Sequence, residues 1–516
     1  AFVIIGAFNR LDRSKDVVDR IQETMEDIGG SILITTFSSS IAFALGATSS
    51  VPAVRWLCLY AFPTIIIDFL YQITFFVALI VIDDKRMQDR RRDCLVCCKA
   101  NTSEDDNEAG PVTPSKNFVE RLMAVYAETL MKPPVKIGVL VLFLAWATFG
   151  AYRTSKLTQE FDFADVLPSG SYVSSIINNQ DLYINRRFFS PEIYFRDVDF
   201  SDESTRQQMK DYVDELTQLD FVSEPPVFFW LNDYDDFVLE NSTRMTQSFE
   251  ANIADFLSDP VYESLYGSHI VIDEQGMMTA SRTKIVFDGV DDDSVTDQIE
   301  ALREQREVTV NQPINEGQKD WKFFTYEGAY YIWQFYTVAV DELIFTTVFG
   351  VIAVSSIAML MIQHWSAVFF VGPMVCMLYV ELLGLMELMG LHVNSVTYVG
   401  LVMSIGLMVD YVMHVVIKYF ESKKMSREAK VKDTLNTIGS SVLIGGLSTF
   451  LGIIPLAFST SEIFWSIFVI FVGLVILGCA HGLILLPVIL SYVGPTGHVH
   501  KTRSKSVQLG ETNDDE

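Results

Sequence analysis

The chain has 516 residues, 50% of them hydrophobic and 20% charged, with a formal net charge of −27 at pH 7 and a mean hydropathy of +0.27. Positive hydropathy beside so many charges fits a chain divided between membrane spans and a polar domain. Most of the acidic excess falls between Tyr152 and Val340, which speaks against a nucleic-acid partner, whose usual footprint is a basic patch.

In chain order, Ala1 to Phe8 reads as the end of a helix whose beginning is missing, with neither an initiator Met nor a signal peptide, so the sequence reads as a fragment of a longer protein. Residues 1–82 form the C-terminal part of a first transmembrane unit. Asn9 to Asp27, with Arg10, Arg13, Lys15 and Arg20, has the spacing of an amphipathic connector. Apolar runs from Ile28 to Ala47 and from Trp56 to Ile82 follow as spans. The first is rich in Gly, Ser and Thr, residues that let membrane helices approach closely. The second carries Pro63 and Asp68, an acid that either lines an interior pathway or serves a structural role.

Residues 83–134 read as a cytosolic linker, since Lys85, Arg86, Arg90, Arg91 and Arg92 sit at the exit of the preceding span. Cys94, Cys97 and Cys98 contain a C-x-x-C, but no second pair or spaced His completes a metal site. Juxtamembrane palmitoylation is the better functional reading and unmodified thiols the simplest. Asn117 to Met131 has the pattern of a short amphipathic surface helix, and residues 135–152 are the next span.

Residues 153–340 contain no apolar run long enough to cross a bilayer. Strand-like pieces are expected at Glu192 to Phe195, Val227 to Trp230, Ile270 to Asp273, Thr283 to Phe287 and Tyr330 to Tyr336. Helices are expected at Thr205 to Leu219, Arg244 to Leu257 and Ser294 to Glu307. The alternation suggests an α+β extracytoplasmic domain of the split-βαβ type. Asn241-Ser242-Thr243 is an N-glycosylation acceptor on that side, whereas Asn101-Thr102-Ser103 falls in the cytosolic linker and is discounted.

Residues 341–492 hold five further spans: Glu342 to Ile362, Ala367 to Met389, Asn394 to Phe420, Ile438 to Phe458 and Ile463 to Tyr492. Basic residues from Lys418 to Lys432, and Lys501, Arg503 and Lys505, place the intervening loop and the C-terminal end in the cytosol. Residues 493–516 read as a disordered cytosolic tail. The fold class is thus a polytopic α-helical membrane protein with an extracytoplasmic α+β domain, in the plasma membrane or an endomembrane.

The span from Asn394 to Phe420 carries Asp410 and His414. A charged side chain near the bilayer centre costs a few kcal/mol or more, so it faces a bundle interior or wet cavity by default and reads as functional. Four residues apart, the two share a helical face and form a candidate ion relay, their protonation being coupled. The alternative is a hydrogen-bonded pair locking two helices together. Glu381 joins Asp68 as a second candidate intramembrane polar group. Gly406, Gly439, Gly445 and Gly446 are candidates for close, sliding helix packing around the relay. No nucleophile–base constellation, phosphate loop or metal cluster appears, so neither an enzyme nor a cofactor is expected.

One fixed shift lays Thr24, Ile28, Gly29, Ser31, Leu33, Ile34 and Ser38 on Thr434, Ile438, Gly439, Ser441, Leu443, Ile444 and Ser448. Parallel repeats of this kind are a transporter architecture. The shift puts the counterpart of Asp410 just before Ala1, so one or two acids are expected immediately upstream.

Gly406-Leu407-Met408-Val409-Asp410-Tyr411 with His414, preceded by Glu381-Leu382-Leu383-Gly384 and Asn394-Ser395-Val396, resembles the tenth-helix region of the Patched and Niemann-Pick type C families of the resistance-nodulation-division superfamily. Ala1-Phe2-Val3-Ile4 and the run Glu23 to Ile82 are similar to the last part of their sterol-sensing domain. The resemblance covers essentially the whole chain, from the end of the fourth to the twelfth helix of a two-fold repeated bundle. It implies a transporter moving sterols or other lipids, powered by protons or sodium ions, with Asp410 and His414 matching the ion-relay motif. It also leaves open a sterol- or lipid-responsive receptor of Patched type. The sequence departs from the pattern in the extracytoplasmic domain, which lacks the cysteines often found in Niemann-Pick type C proteins, and in stopping short of the fourth-helix acids. The oligomeric state is not legible.

Overall fold

The computed structural model describes residues 2–12, 14–89, 91, 118–160, 167–168, 170–184, 189–222, 224–226, 228–291, 294–362 and 364–496. Cys94, Cys97, Cys98, the Asn101 triplet and nearly all of the expected C-terminal tail lie outside them. The chain divides into two compact units, Ala1–Thr158 with Glu342–Glu516, and Gln159–Asp341.

The first unit opens with α1 (Phe2–Arg10), α2 (Val17–Gly46) and α3 (Pro52–Gln88). Asp16 caps α2 by accepting from Val18 N–H at 3.1 Å. The expected connector from Asn9 to Asp27 divides: Asn9 and Arg10 end α1, and from Val17 it is one helix with the first span, because nothing between Val17 and Ile28 breaks the backbone ladder. Arg20 ends up 1% exposed on α2, paired with Asp84 of α3 at 2.8 Å and lying over the Phe8 ring. α3 starts with Pro52, where a missing N–H is harmless, and contains a π-helical segment at Gln72–Phe76. The amphipathic α4 (Phe118–Leu130) and the span α5 (Pro133–Thr154) follow.

The second unit comprises α6 (Tyr172–Ile184), β1 (Glu192–Arg196), α7 (Glu203–Thr217), α8 (Trp230–Leu239), α9 (Phe249–Ser258), α10 (Pro260–Tyr266), β2 (Ile270–Ile272), β3 (Met278–Lys284), α11 (Val295–Val310) and β4 (Phe323–Tyr326). The four strands lie in the order β2-β3-β1-β4, all antiparallel. With helices between β1 and β2 and between β3 and β4, this is the split-βαβ arrangement. Ile193, Phe195 and Phe323 point from the sheet into an aromatic core with Tyr212, Trp230 and Phe256. Among the described residues, none of this unit's helices is long and apolar enough to cross a membrane.

Three of the expected strands differ. Of Val227 to Trp230, residue 227 lies outside the described residues; the rest forms no strand, and Trp230 starts α8. The strand expected at Thr283 to Phe287 lies upstream, in β3, two of whose buried positions are the polar Ser281 and Thr283, so that no apolar alternation marks it in the sequence. Tyr330 to Tyr336, expected as the last strand, begins the helix α12 (Tyr330–Ile362), and β4 supplies the edge instead. Aromatic residues suggested a strand, but buried Tyr330, Trp333 and Tyr336 recur at helical spacing.

α13 (Ala367–Leu388), α14 (Ser395–Glu421), α15 (Arg427–Phe458) and α16 (Glu462–Val493) complete the first unit. Eight helices, α2, α3, α5 and α12 to α16, are long and apolar enough to span, so the chain is a multi-pass integral membrane protein. α14 is the central one, with 78% of its span window buried against 6% for α3. A reciprocal capping box of Asn394 and Thr397 starts it. The repeat extends to the secondary structure. The shift that carries Ser31 onto Ser441 carries Pro52 onto Glu462, the first residues of α3 and α16. It also brings the π segment at Gln72–Phe76 within one residue of its counterpart in α16, His481–Leu485.

Candidate functional site

Asp410 and His414 lie one turn apart on α14 and border a cavity of about 300 Å³. Phe2 and Val3 of α1 and Ser441, Gly445 and Thr449 of α15 form its other walls. The cavity therefore lies where the two repeats meet. His414 is oriented from outside its own helix: its Nδ1 shares a hydrogen bond with Ser31 Oγ of α2 at 2.9 Å. Ser39, two turns further along α2, donates to the Gly406 carbonyl at 3.1 Å. Asp410 Oδ1 is out of reach of solvent and accepts no hydrogen bond from the described residues. An ionised carboxylate so placed is costly unless a proton or a cation joins it.

The candidate glycines divide. Gly406 is a contact point, with Ala42 and Phe43 of α2 3.4–3.5 Å from where its Cβ would stand. At Gly446 a Cβ would fall 2.7 Å from Cys479 Sγ. Gly445 has open space beside it and lines the cavity. Gly439, expected around the relay, packs against Met123 of α4 instead, at the end of a π turn at Leu435–Gly439.

Asp68 does not join the relay. It is exposed on the outer face of α3 and accepts from Gln72 Nε2 at 2.6 Å. The run's apolar length disclosed the span but not which face looks inward. Glu381 is 1% exposed on α13, opposite a fully buried His481 on α16. Asn241 is exposed after α8, its Oδ1 accepting from Thr243 N–H at 3.0 Å. Among the described residues, no group of three His, Cys, Asp or Glu could hold a metal ion.

Sequence reasoning missed Ser31, Ser39 and His481. As a histidine inside an apolar run, His481 carries the same signal that marks Asp410. The serines carry no such signal, being ordinary members of a small-residue stripe.

Comparison with known proteins agrees with this architecture. Residues 1–100 match the family model described as the sterol-sensing domain of SREBP cleavage-activation. The chain is 28% identical to NPC intracellular cholesterol transporter 1 homolog 1b of Drosophila melanogaster, over 96% of this chain and 45% of that protein. It is 27% identical to NPC intracellular cholesterol transporter 1 of Sus scrofa, over 98% and 44%. Patched-related protein 9 of Caenorhabditis elegans is 22% identical over 96% and 56%. The chain thus spans about half the length of these relatives. In fold it is similar to the hedgehog release protein Disp of the water bear Hypsibius dujardini, with a TM-score of 0.61 and 12% identity, over 96% of this chain and 63% of that one.

Proposed function

We propose that this chain, a relative of the Patched and Niemann-Pick type C families with part of a sterol-sensing domain, belongs to an ion-gradient-coupled transporter of sterols or other lipids. The observation that carries the proposal is Asp410 with His414 at a cavity between repeats, Oδ1 of the acid lacking a donor among the described residues and the histidine held by Ser31. In this reading a proton or a sodium ion entering the cavity neutralises Asp410. His414 adjusts the affinity of the pair, since coupled groups titrate together. Loading weakens the charge that keeps the cavity wet, and α2 and α15 then shift against α14 along their small residues. Lipid movement in the relatives' cholesterol-transporter names supports a sterol as the cargo.

The sterol-sensing match over residues 1–100 supports a second reading, a lipid-responsive receptor in which the same helices sense a sterol. Lipid-resolved transport by the full-length protein in vesicles, with and without a pH or sodium gradient, separates the two. Gradient-dependent transport is expected. Sterol binding with no transport under any gradient would leave the receptor.

A further inference from the structure

Glu381 on α13 and His481 on α16 are both fully enclosed, with Glu381 Oε2 and His481 Nε2 facing each other at 3.5 Å. Neither carboxyl oxygen receives a hydrogen bond from the described residues, and among them Nε2 has no partner at hydrogen-bond length. The other ring nitrogen settles the tautomer. Nδ1 lies 2.9 Å from the Leu477 carbonyl oxygen, which can only accept, so Nδ1 carries a hydrogen. What stands between Nε2 and Oε2 is then one proton. If it is on nitrogen, imidazolium faces carboxylate; if on oxygen, a carboxylic acid faces a lone pair. With none, two lone pairs and a net negative charge are buried, and with two, a net positive charge is. Either is strongly disfavoured in a dry interior.

We propose that Glu381 and His481 form a second proton site in the bundle, apart from Asp410 and His414, which holds a single proton in the closed arrangement and exchanges it only when α13 and α16 separate. Moving the proton from Nε2 to Oε2 leaves neutral imidazole and carboxylic acid with no change in total charge. Net release or uptake requires water, admitted as the helices part, to accept or donate the proton. The local build permits such parting, since His481 opens a π-helical segment, where the regular ladder is interrupted. Phe143 of α5 caps the imidazole edge-on at 5.1 Å, and Gly150 lets α5 close over Glu381, a Cβ there falling 3.2 Å from the Glu381 Cα.

Three of the surrounding titratable groups are paired elsewhere. On α5, Arg153 pairs with Glu387 of α13, and Lys136 pairs with Glu428. Tyr126 of α4 donates to the Leu483 carbonyl. On α14, Tyr411 borders the Asp410 cavity and lies against α16, its ring by Gly478 and its carbonyl by Gly482. Tyr379 of α13 and Cys479 of α16 are the remaining weak acids on the flanking turns.

The test is pH-induced infrared difference spectroscopy on the purified full-length protein, combined with nitrogen NMR of the histidine rings. A carboxylic-acid band that survives in Asp410→Asn and is lost in Glu381→Gln is expected. In His481→Gln the frequency of that band is expected to shift, because the group facing Glu381 Oε2 changes. If Glu381→Gln does not yield monodisperse protein, Glu381→Asp keeps the acid and shifts the band's frequency, which identifies it equally well. A spectrum unchanged by either Glu381 variant would overturn the proposal. So would a His481 ring with its hydrogen on Nε2 alone, which would make the pair a fixed structural contact. Neither readout depends on lipid transport.

Discussion

Ser31 Oγ lies 2.9 Å from His414 Nδ1, although 383 residues of chain separate them. The relationship has a counterpart under the repeat. Ser441, the equivalent of Ser31, belongs to α15 and stands against α1, where a Cβ on Gly6 would fall 2.7 Å from its Oγ. Each repeat thus offers a serine to the other repeat's helix, and only one of the two meets a titratable ring. Ser31→Ala removes the bond that orients His414. The expected loss of stability is small, ~0.6 kcal/mol for an average interhelical hydrogen bond in a membrane. Gradient-driven transport is expected to shift in its pH dependence, with the maximal rate largely kept; an unchanged pH profile would count against a tuning role.

Asp410→Asn keeps the size and most of the hydrogen-bonding capacity of the side chain but cannot ionise. Lipid transport in reconstituted vesicles is expected to be abolished, with insertion and monodispersity unaffected. His414→Ala is expected to weaken it less. Full gradient-driven transport by a correctly inserted Asp410→Asn protein would reduce the pair to a helix–helix contact.

Glycine substitutions should divide by the space beside them. At Gly384 a Cβ would fall 2.8 Å from the Gly150 Cα and 2.9 Å from its carbonyl carbon. Backbone cannot swing aside as a side chain can, so Gly384→Ala is expected to destabilise by about 1–3 kcal/mol through overpacking. Gly445→Ala, with nothing within 4 Å, is expected to be near neutral in a thermal-stability assay. Equal losses at both positions would contradict the close approach of α5 to α13.

In the unit between α5 and α12, His269 is held below its ordinary value of 6.5, first by burial and then by the Arg282 charge, with Glu192 opposing. A histidine whose folded pKa is depressed favours the neutral form, so the unfolded chain binds the proton more readily. Its contribution is complete above the unfolded value and is lost as pH falls from about 6.5 through the folded value. Denaturant unfolding is expected to show stability decreasing over that window, and His269→Gln to flatten the decrease. A slope of the opposite sign would show that Glu192 dominates.

Asn241 is exposed, its Oδ1 accepting from Thr243 N–H. Asn241→Gln is expected to remove a glycosidase-sensitive mobility shift from protein made in a glycosylating host. Persistence of the shift would assign the glycan elsewhere.

Much of this protein is written locally. Spans are legible because crossing a bilayer demands some twenty apolar residues in a row, and each expected run lies in one of the helices α2, α3, α5 and α12 to α16, although α2, α12 and α15 begin well before their runs. The candidate pair Asp410 and His414 is legible because an acid and a histidine at helical spacing in such a run have few cheap explanations. The repeat is legible too, because Ser31 and Ser441 belong to matched small-residue stripes. What the sequence by itself left open is direction. Asp68 and Glu381 are both acids in apolar runs, yet one faces outward with Gln72 and the other is enclosed with His481. Apolar residues surround a membrane helix on every side, so no contrast between a polar and an apolar face tells which side looks inward. Tyr330 to Tyr336 looked like a strand for a related reason: an aromatic run suits either geometry until its neighbours choose. Tertiary packing alone decided which serine reaches His414, which histidine faces Glu381, and that α14 stands at the centre, because those pairings join residues that no sequence period connects.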